Sequence, residues 1–306
     1  MTGTRPAAGP AAPADAPAAG ADAVTLAVVA TPELPTRELP AVAEAAEASG
    51  LAELWLWEDV YRQSAVAQAG AVLGATERLR VGLGVLPVPL RNAVLAAMDV
   101  ATLAELFPGR LTPGIGHGVQ TWMGEVGARV ASPLTLLREH AAVLRPLLHG
   151  EPVSVEGRYV AVQDARLVWP PAAAPPLYVG AHGPRTLRLA GEVGDGVILQ
   201  LGVSPDDTRA ALGTVAEGHA ARDHRGWFGA CVYVGVDAAL RAAGPERVAA
   251  HLRRWVDAGA TTVAVVPVLP DGTPDMADAA GAAAWLGSEV RPLLAAGPGD
   301  SARGRP

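Results

Sequence analysis

The chain has 306 residues, half of them hydrophobic, and a formal net charge of −7. That length can bury the core of one barrel or of two smaller domains. The acidic balance argues against nucleic acid and anionic membrane surfaces, which require a basic face, and no apolar run approaches the roughly 18–20 residues that span a bilayer.

Cys231 is the single cysteine, so an intrachain disulfide is impossible and a reducing, cytoplasmic setting is expected. Residues 1–22 form an Ala/Pro tract without the basic-then-apolar layout of a signal peptide and read as a disordered tail, as do residues 297–306. The chain contains no lysine, and Asn92, Ile115 and Ile198 alone represent Asn and Ile. This is the bias of a GC-rich coding sequence, and an actinobacterial source is expected. An anionic ligand must therefore be held by Arg, His, hydroxyls, backbone N–H groups or helix ends.

In chain order, Val24–Val29 is a short apolar run that predicts a buried strand. Arg37–Ser49 predicts a helix stopped by Gly50. Glu53–Glu58 is the second strand and Tyr61–Gly74 the second helix; Arg80–Leu86 is the third strand. Asn92 is suited to cap the next helix, where Leu95, Met98 and Leu106 share one face at a spacing of three to four residues, with Thr102 in the gap. Pro108-Gly109 ends that helix, and Arg110–Gly116 is the fourth strand. Ser132-Pro133 starts a helix running to His149, with a kink expected at Pro146.

Residues 151–176 read as an irregular insert containing a hairpin over Pro152–Val162 that turns at Glu156-Gly157. The fifth strand is Leu177–Gly180, followed by a helix over Pro184–Ala190, and the sixth is Gly196–Leu201, followed by a helix from about Ser204. Phe228–Val236 and Thr261–Val268 are the seventh and eighth, with helices over Pro245–Ala258 and Met276–Leu294. Eight strands alternating with eight helices over residues 23–296 predict a (β/α)8 TIM barrel with an insertion between the fourth and fifth strands. A doubly wound sheet is the competing arrangement.

Barrel chemistry sits at the C-terminal ends of the strands. That rule assigns Arg110 and Asp195, which precede strands, to structure. It gathers Glu58-Asp59, Gly84-Val85, Gly116-His117-Gly118 and Gly180-Ala181-His182-Gly183 on one rim. Pro184 suits the first position of a helix, so the N–H groups of Arg185 and Thr186 are expected to face out of the helix start, where an anion is favoured. An ordinary proline-started helix explains the same residues.

Other chemistries find little support. Gly114-x-Gly116-x-Gly118 lacks the dinucleotide spacing, and there is no P-loop or G-x-S-x-G. Glu58 and Asp59 are adjacent, so on a strand they face opposite ways and cannot easily flank one glycosidic bond. His219 and His224 flank Asp223 at a spacing that scatters them round a helix, so no metal site is expected. Cys231 lies within an apolar strand and reads as an inert core thiol.

RVGLGVLPVPLRNAVLAAMDVATLAELFPGRLTPGIGHG, PLYVGAHGPRTLRLAGEVGDGVIL and LAELWLWED together resemble the luciferase-like monooxygenase superfamily. The pairing of the first two segments across the insert most resembles its coenzyme F420-dependent oxidoreductase branch, near methylenetetrahydromethanopterin reductase. The resemblance implies a luciferase-like TIM barrel, often a homodimer, with the coenzyme ring across the barrel mouth. It also implies a non-prolyl cis peptide supporting the ring, which maps to Gly84–Val85.

An acidic residue and a polar neighbour at the end of the second strand map to Glu58 and Asp59. Asp59 stands where relatives acting on glucose 6-phosphate carry a histidine, and His117-Gly118-Val119 stands where they carry Thr-Gly-Glu. A sugar-phosphate substrate is therefore not favoured. The coenzyme tail is expected to meet Gly180, Ala181, His182, Gly183, Arg185 and Thr186.

On this reading His117, Asp59 and Glu58 are the catalytic candidates. Glu58, Gly84, Val85, His117 and Gly118 contact the coenzyme, and Trp57, Trp122 and Met123 wall the substrate pocket. The expected activity is hydride transfer between the deazaflavin F420 and a small organic substrate. An FMN-dependent monooxygenase using O2 and a separate reductase is the alternative, and a non-catalytic flavin-binding barrel the third possibility.

Overall fold

The computed structural model describes residues 24–222 and 228–295. The expected tails and His224 lie outside these residues. Ten strands occur among them: β1 (Thr25–Ala30), β2 (Glu53–Leu56), β3 (Arg80–Pro87), β4 (Leu111–Gly116), β5 (Val153–Glu156), β6 (Ala161–Ala165), β7 (Tyr178–Gly180), β8 (Gly196–Leu199), β9 (Gly229–Asp237) and β10 (Thr262–Val268). All but β5 and β6 close into a parallel barrel in the order β1-β10-β9-β8-β7-β4-β3-β2. The doubly wound sheet is thereby excluded.

The helices are α1 (Leu39–Ala48), α2 (Ala65–Ala75), α3 (Ala93–Leu106), α4 (Gln120–Glu125), α5 (Pro133–Leu148), α6 (Pro184–Val193), α7 (Pro205–Ala220), α8 (Ala238–Ala242), α9 (Pro245–Val256), α10 (Ala279–Trp285) and α11 (Arg291–Ala295), the last two joined by a π-turn. None is long and apolar enough to cross a membrane.

Period-two alternation divides the apolar residues of each strand between two cores. In β1, Ala27 and Val29 point into the barrel while Leu26 and Val28 face the helices. The inner core is unusually aromatic. Trp55 lies 6.1 Å from both Tyr178 and Tyr233, and Cys231 is fully buried beside them. Gly82 faces the Trp55 indole and Gly196 the Tyr178 ring, positions where a Cβ would collide. Small residues on neighbouring strands therefore make room for large ones.

The insert is the hairpin β5/β6, with Val155 opposite Val162. It is clamped to α5. The Glu139 carboxylate accepts the N–H groups of Arg158, Tyr159 and Val160 at 2.8–3.0 Å. The Tyr159 hydroxyl accepts the Ser132 N–H.

The expected caps form: Asn92 accepts from the Val94 N–H and Ser132 from the Thr135 N–H. α5 continues through Pro146 to Leu148. The second helix begins later than expected, at a Ser64 cap, and Tyr61 lies outside it at a φ of 67°.

In α3 the stripe of Leu95, Met98 and Leu106 forms the outer face. Its inner face is Ala93, Ala96, Ala97, Val100, Ala101, Leu103 and Ala104, whereas Leu95, Met98 and Leu106 are 47%, 52% and 65% exposed. Alanines let the helix approach the sheet closely, which leaves the bulkier stripe outside.

Arg110 and Asp195 are structural, as the strand-end rule predicts. The Arg110 guanidinium donates to the carbonyls of Leu73, Thr76 and Leu79 and to the Thr76 hydroxyl. Asp195 accepts from Arg145 at 2.7 Å and from the Leu177 N–H at 3.0 Å.

His140 in α5 is 1% exposed, and burial lowers its pKa to about 4. As the pH falls below the ordinary histidine value of about 6.5, the unfolded chain takes up this proton before the folded one. Stability is therefore full above that value and declines toward pH 4, by on the order of 3 kcal/mol from this residue. His140→Leu should flatten the acid side of a denaturant-derived stability profile relative to the parent chain.

Candidate functional site

The C-terminal strand ends surround a cavity of about 700 Å³. Trp57, Glu58 and Asp59, just past β2, all line it. Glu58 is 8% exposed, and its Oε2 accepts the Ala65 N–H at 2.8 Å, at the start of α2, where the helix dipole favours a carboxylate. Both terminal nitrogens of Arg91 engage Glu58, one on each carboxylate oxygen. The Arg91 Nε lies 3.5 Å from Asp99 Oδ2. Glu58 thus ties the loop after β2 to the loop after β3. That geometry suits positioning better than proton transfer.

Asp59 is half-buried. Its pKa is raised, first by burial and then by the charge of Glu33, with Arg62 opposing. It is the more readily protonated carboxyl that burial into a cavity produces.

The floor is built where β3 carries one extra residue against β4: Leu83 pairs with Pro113, but Leu86 with Ile115. The Gly84–Val85 bond is cis. Val85 is seated across two glycines of neighbouring strands. A Cβ on Gly116 or on Gly180 would fall 2.7 Å from a Val85 methyl. The Tyr233 hydroxyl, from β9, donates to the Gly84 carbonyl at 3.2 Å. The Trp57 ring lies 5.2 Å from that tyrosine ring.

Beyond β4, His117 and Gly118 line the cavity, and Gly118 turns at a φ of 67° with Met123 and Pro87 closely packed on it. Such a turn favours glycine. The Gln120 side chain donates to the His117 carbonyl at 3.1 Å. The Nε2 of His117 is buried without a partner, and burial lowers the imidazole pKa. Trp122 and the fully buried Met123, both on α4, complete this wall.

Beyond β7, Gly180, Ala181, His182, Gly183 and Thr186 line the cavity, and a Cβ on Gly183 would meet nothing within 4 Å. The Thr186 N–H is bonded to the Gly183 carbonyl at 3.0 Å. It does not face out of the helix, contrary to the sequence-based expectation, because the first turn of α6 closes on Gly183. Arg185 is exposed and outside the cavity lining.

Sequence reasoning missed Gln200, Leu201, Tyr233 and Pro274, which also line the cavity. Gln200 follows β8, so the strand-end rule could have found it. Tyr233 lies within β9, and only the barrel's alternation places it inward. Among the described residues, no group of three or more His, Cys, Asp or Glu is placed to hold a metal.

The chain matches the luciferase-like monooxygenase family over residues 16–261 and belongs to that family. It is 30% identical over 195 residues to a 5,10-methylenetetrahydromethanopterin reductase of Methanolobus tindarius, covering 64% of this chain and 59% of that protein. It is 36% identical over 176 residues to an F420-dependent glucose-6-phosphate dehydrogenase of Beutenbergia cavernae, covering 55% and 52%. The chain thus spans between half and three-fifths of the length of these relatives. The coenzyme F420-dependent tetrahydromethanopterin reductase of Methanopyrus kandleri shares the fold, with a TM-score of 0.76 at 20% identity over 90% of this chain and all of that one.

The Arg91–Glu58 pair yields a stability test. Side-chain exposures of 15% and 6% make it a buried pair. Arg91→Met, which leaves the buried Glu58 carboxylate without its counter-charge and with only the Ala65 N–H as partner, should cost about 3–5 kcal/mol in urea unfolding. Adding Glu58→Gln should recover a large part of that loss.

Proposed function

We propose that this chain is an oxidoreductase that uses the deazaflavin coenzyme F420 on a small organic substrate. The observation that carries the reading is the combination of the Val85 shelf with the buried, unpartnered Nε2 of His117 in one cavity. Glycines 116 and 180 seat the Val85 side chain, and Gly183, where a Cβ would meet nothing within 4 Å, leaves backbone open to a flat ring. The names of the relatives point to the same coenzyme. When bound, a deazaflavin supplies a hydride donor or acceptor.

In this proposal Gly84, Val85, Gly118, Gly180 and Ala181 support the ring. His182, Gly183, Thr186 and the exposed Arg185 receive the anionic tail. Trp57, Trp122 and Met123 wall the substrate space and exclude water. His117 is the main proton carrier: its lowered pKa favours the neutral imidazole, whose unprotonated nitrogen is able to take a proton from a substrate hydroxyl. Asp59, with its raised pKa, is the second candidate. Glu58 positions the loop through Arg91. One buried thiol and the coenzyme's redox role suit a cytoplasmic enzyme.

Titrating the full chain with F420 and with FMN checks the coenzyme. Saturable F420 binding is expected; tight FMN binding without F420 binding would instead indicate the monooxygenase reading. His117→Asn should keep F420 affinity within about threefold while lowering kcat by about 10²–10⁴.

The same proposal includes a homodimer, supported by the exposed stripe of Leu95, Met98 and Leu106 on α3. A dimer mass is expected from light scattering, and Met98→Arg should convert it to monomer. A dimer unaffected by that substitution would place the interface elsewhere.

A further inference from the structure

The cavity is electrically lopsided. No arginine occurs among the described residues that line it, and the chain has no lysine. Arg91 lies behind the wall and is engaged by two carboxylates, Glu58 and Asp99, so that trio carries a net negative charge. Asp59 faces the cavity, and Glu33, in the loop after β1, is close enough to act on its charge. Gln63 donates to the Leu34 carbonyl at 3.0 Å, which ties those two loops together. Arg62, exposed and one turn beyond Asp59, offsets part of this charge from outside the lining.

The opposite side differs. In the barrel ring β2 and β7 are separated by β3 and β4. The β7 side carries the α6 start, the exposed Arg185 and His182. An anion is favoured there by the helix dipole and the guanidinium. The β2–β4 side offers Asp59 together with the apolar surfaces of Trp57, Val60, Val119 and Trp122.

We infer that the substrate is an uncharged or cationic small molecule with an apolar body, seated on the β2–β4 side, and that phosphate- and carboxylate-bearing substrates are rejected there. This inference rests on the oxidoreductase reading for its use of the word substrate. Its physical content is a property of the residues that line the cavity. An anion on this side meets Asp59 and Glu33 with no lining cation to offset them. A hydroxyl or ammonium group can donate to the Asp59 carboxylate, and His117, whose Nε2 has no partner, lines the same cavity.

Collisional quenching of Trp57 and Trp122 fluorescence tests this without coenzyme. The full chain is used in a Trp169→Phe background, since Trp169 is 69% exposed. Difference signals against Trp57→Phe and Trp122→Phe isolate each cavity tryptophan, and either one suffices. Caesium, iodide and acrylamide serve as cationic, anionic and neutral probes.

Acrylamide should quench both tryptophans. The caesium-to-iodide ratio of quenching constants, relative to free N-acetyltryptophanamide, should be at least about threefold, because a local potential of about half a kT per unit charge enriches one ion and depletes the other by that combined factor. Asp59→Asn with Glu33→Gln should bring the ratio close to one. A parent ratio at or below one, or a ratio unmoved by those substitutions, would overturn the inference. Failure of the F420 titration would remove the oxidoreductase reading but leave this charge preference measured.

Discussion

The cavity depends on one steric arrangement: Val85 seated across Gly116 and Gly180. Three barrel strands meet at that point, β3 supplying the valine and β4 and β7 the glycines. An extra residue in β3 lifts Val85 out of the regular ladder. The Tyr233 hydroxyl holds the preceding carbonyl from across the barrel. Without side chains at 116 and 180, the valine forms an apolar shelf and the strand ends stay open above it. The aromatic inner core under the shelf, Trp55, Tyr178 and Tyr233, gives it close-packed support.

Electrostatics complete what packing begins. The chain has no lysine, so its cations are arginines, which form planar, bidentate pairs. Arg91 braces Glu58, Arg145 holds Asp195, and Arg110 gathers three carbonyls beneath the barrel. These arginines are committed to the frame. The cavity is left with one perturbed carboxyl, Asp59, and one perturbed imidazole, His117. Both are shifted mainly by burial, so each favours its neutral form more than it would in water.

Much of the fold was legible because barrel strands follow simple rules. Buried parallel strands read as apolar runs, and proline and glycine mark their boundaries. The Asn92 and Ser132 caps and the hairpin turning after Glu156 were readable from local chemistry. The face of α3 was not. Periodicity identifies an apolar stripe but not which stripe meets the sheet, and close approach selected the alanines over Leu95, Met98 and Leu106. Strand ends could be assigned to the rim from order alone. The engagement of Glu58 by Arg91, 33 positions later, could not, because it depends on how two loops meet. Tyr233 was hidden for the same reason: its hydroxyl reaches a carbonyl 149 residues away in sequence.

The central claim is that the Val85 shelf carries the coenzyme ring. The F420 dissociation constant of Gly180→Ala, compared with the parent chain, tests it most directly. A methyl at 180 would fall 2.7 Å from a Val85 methyl and must displace it. The account predicts at least about tenfold weaker binding, equivalent to about 1.4 kcal/mol, in a protein whose circular dichroism remains that of the folded barrel. Unchanged F420 affinity in the folded variant would contradict it.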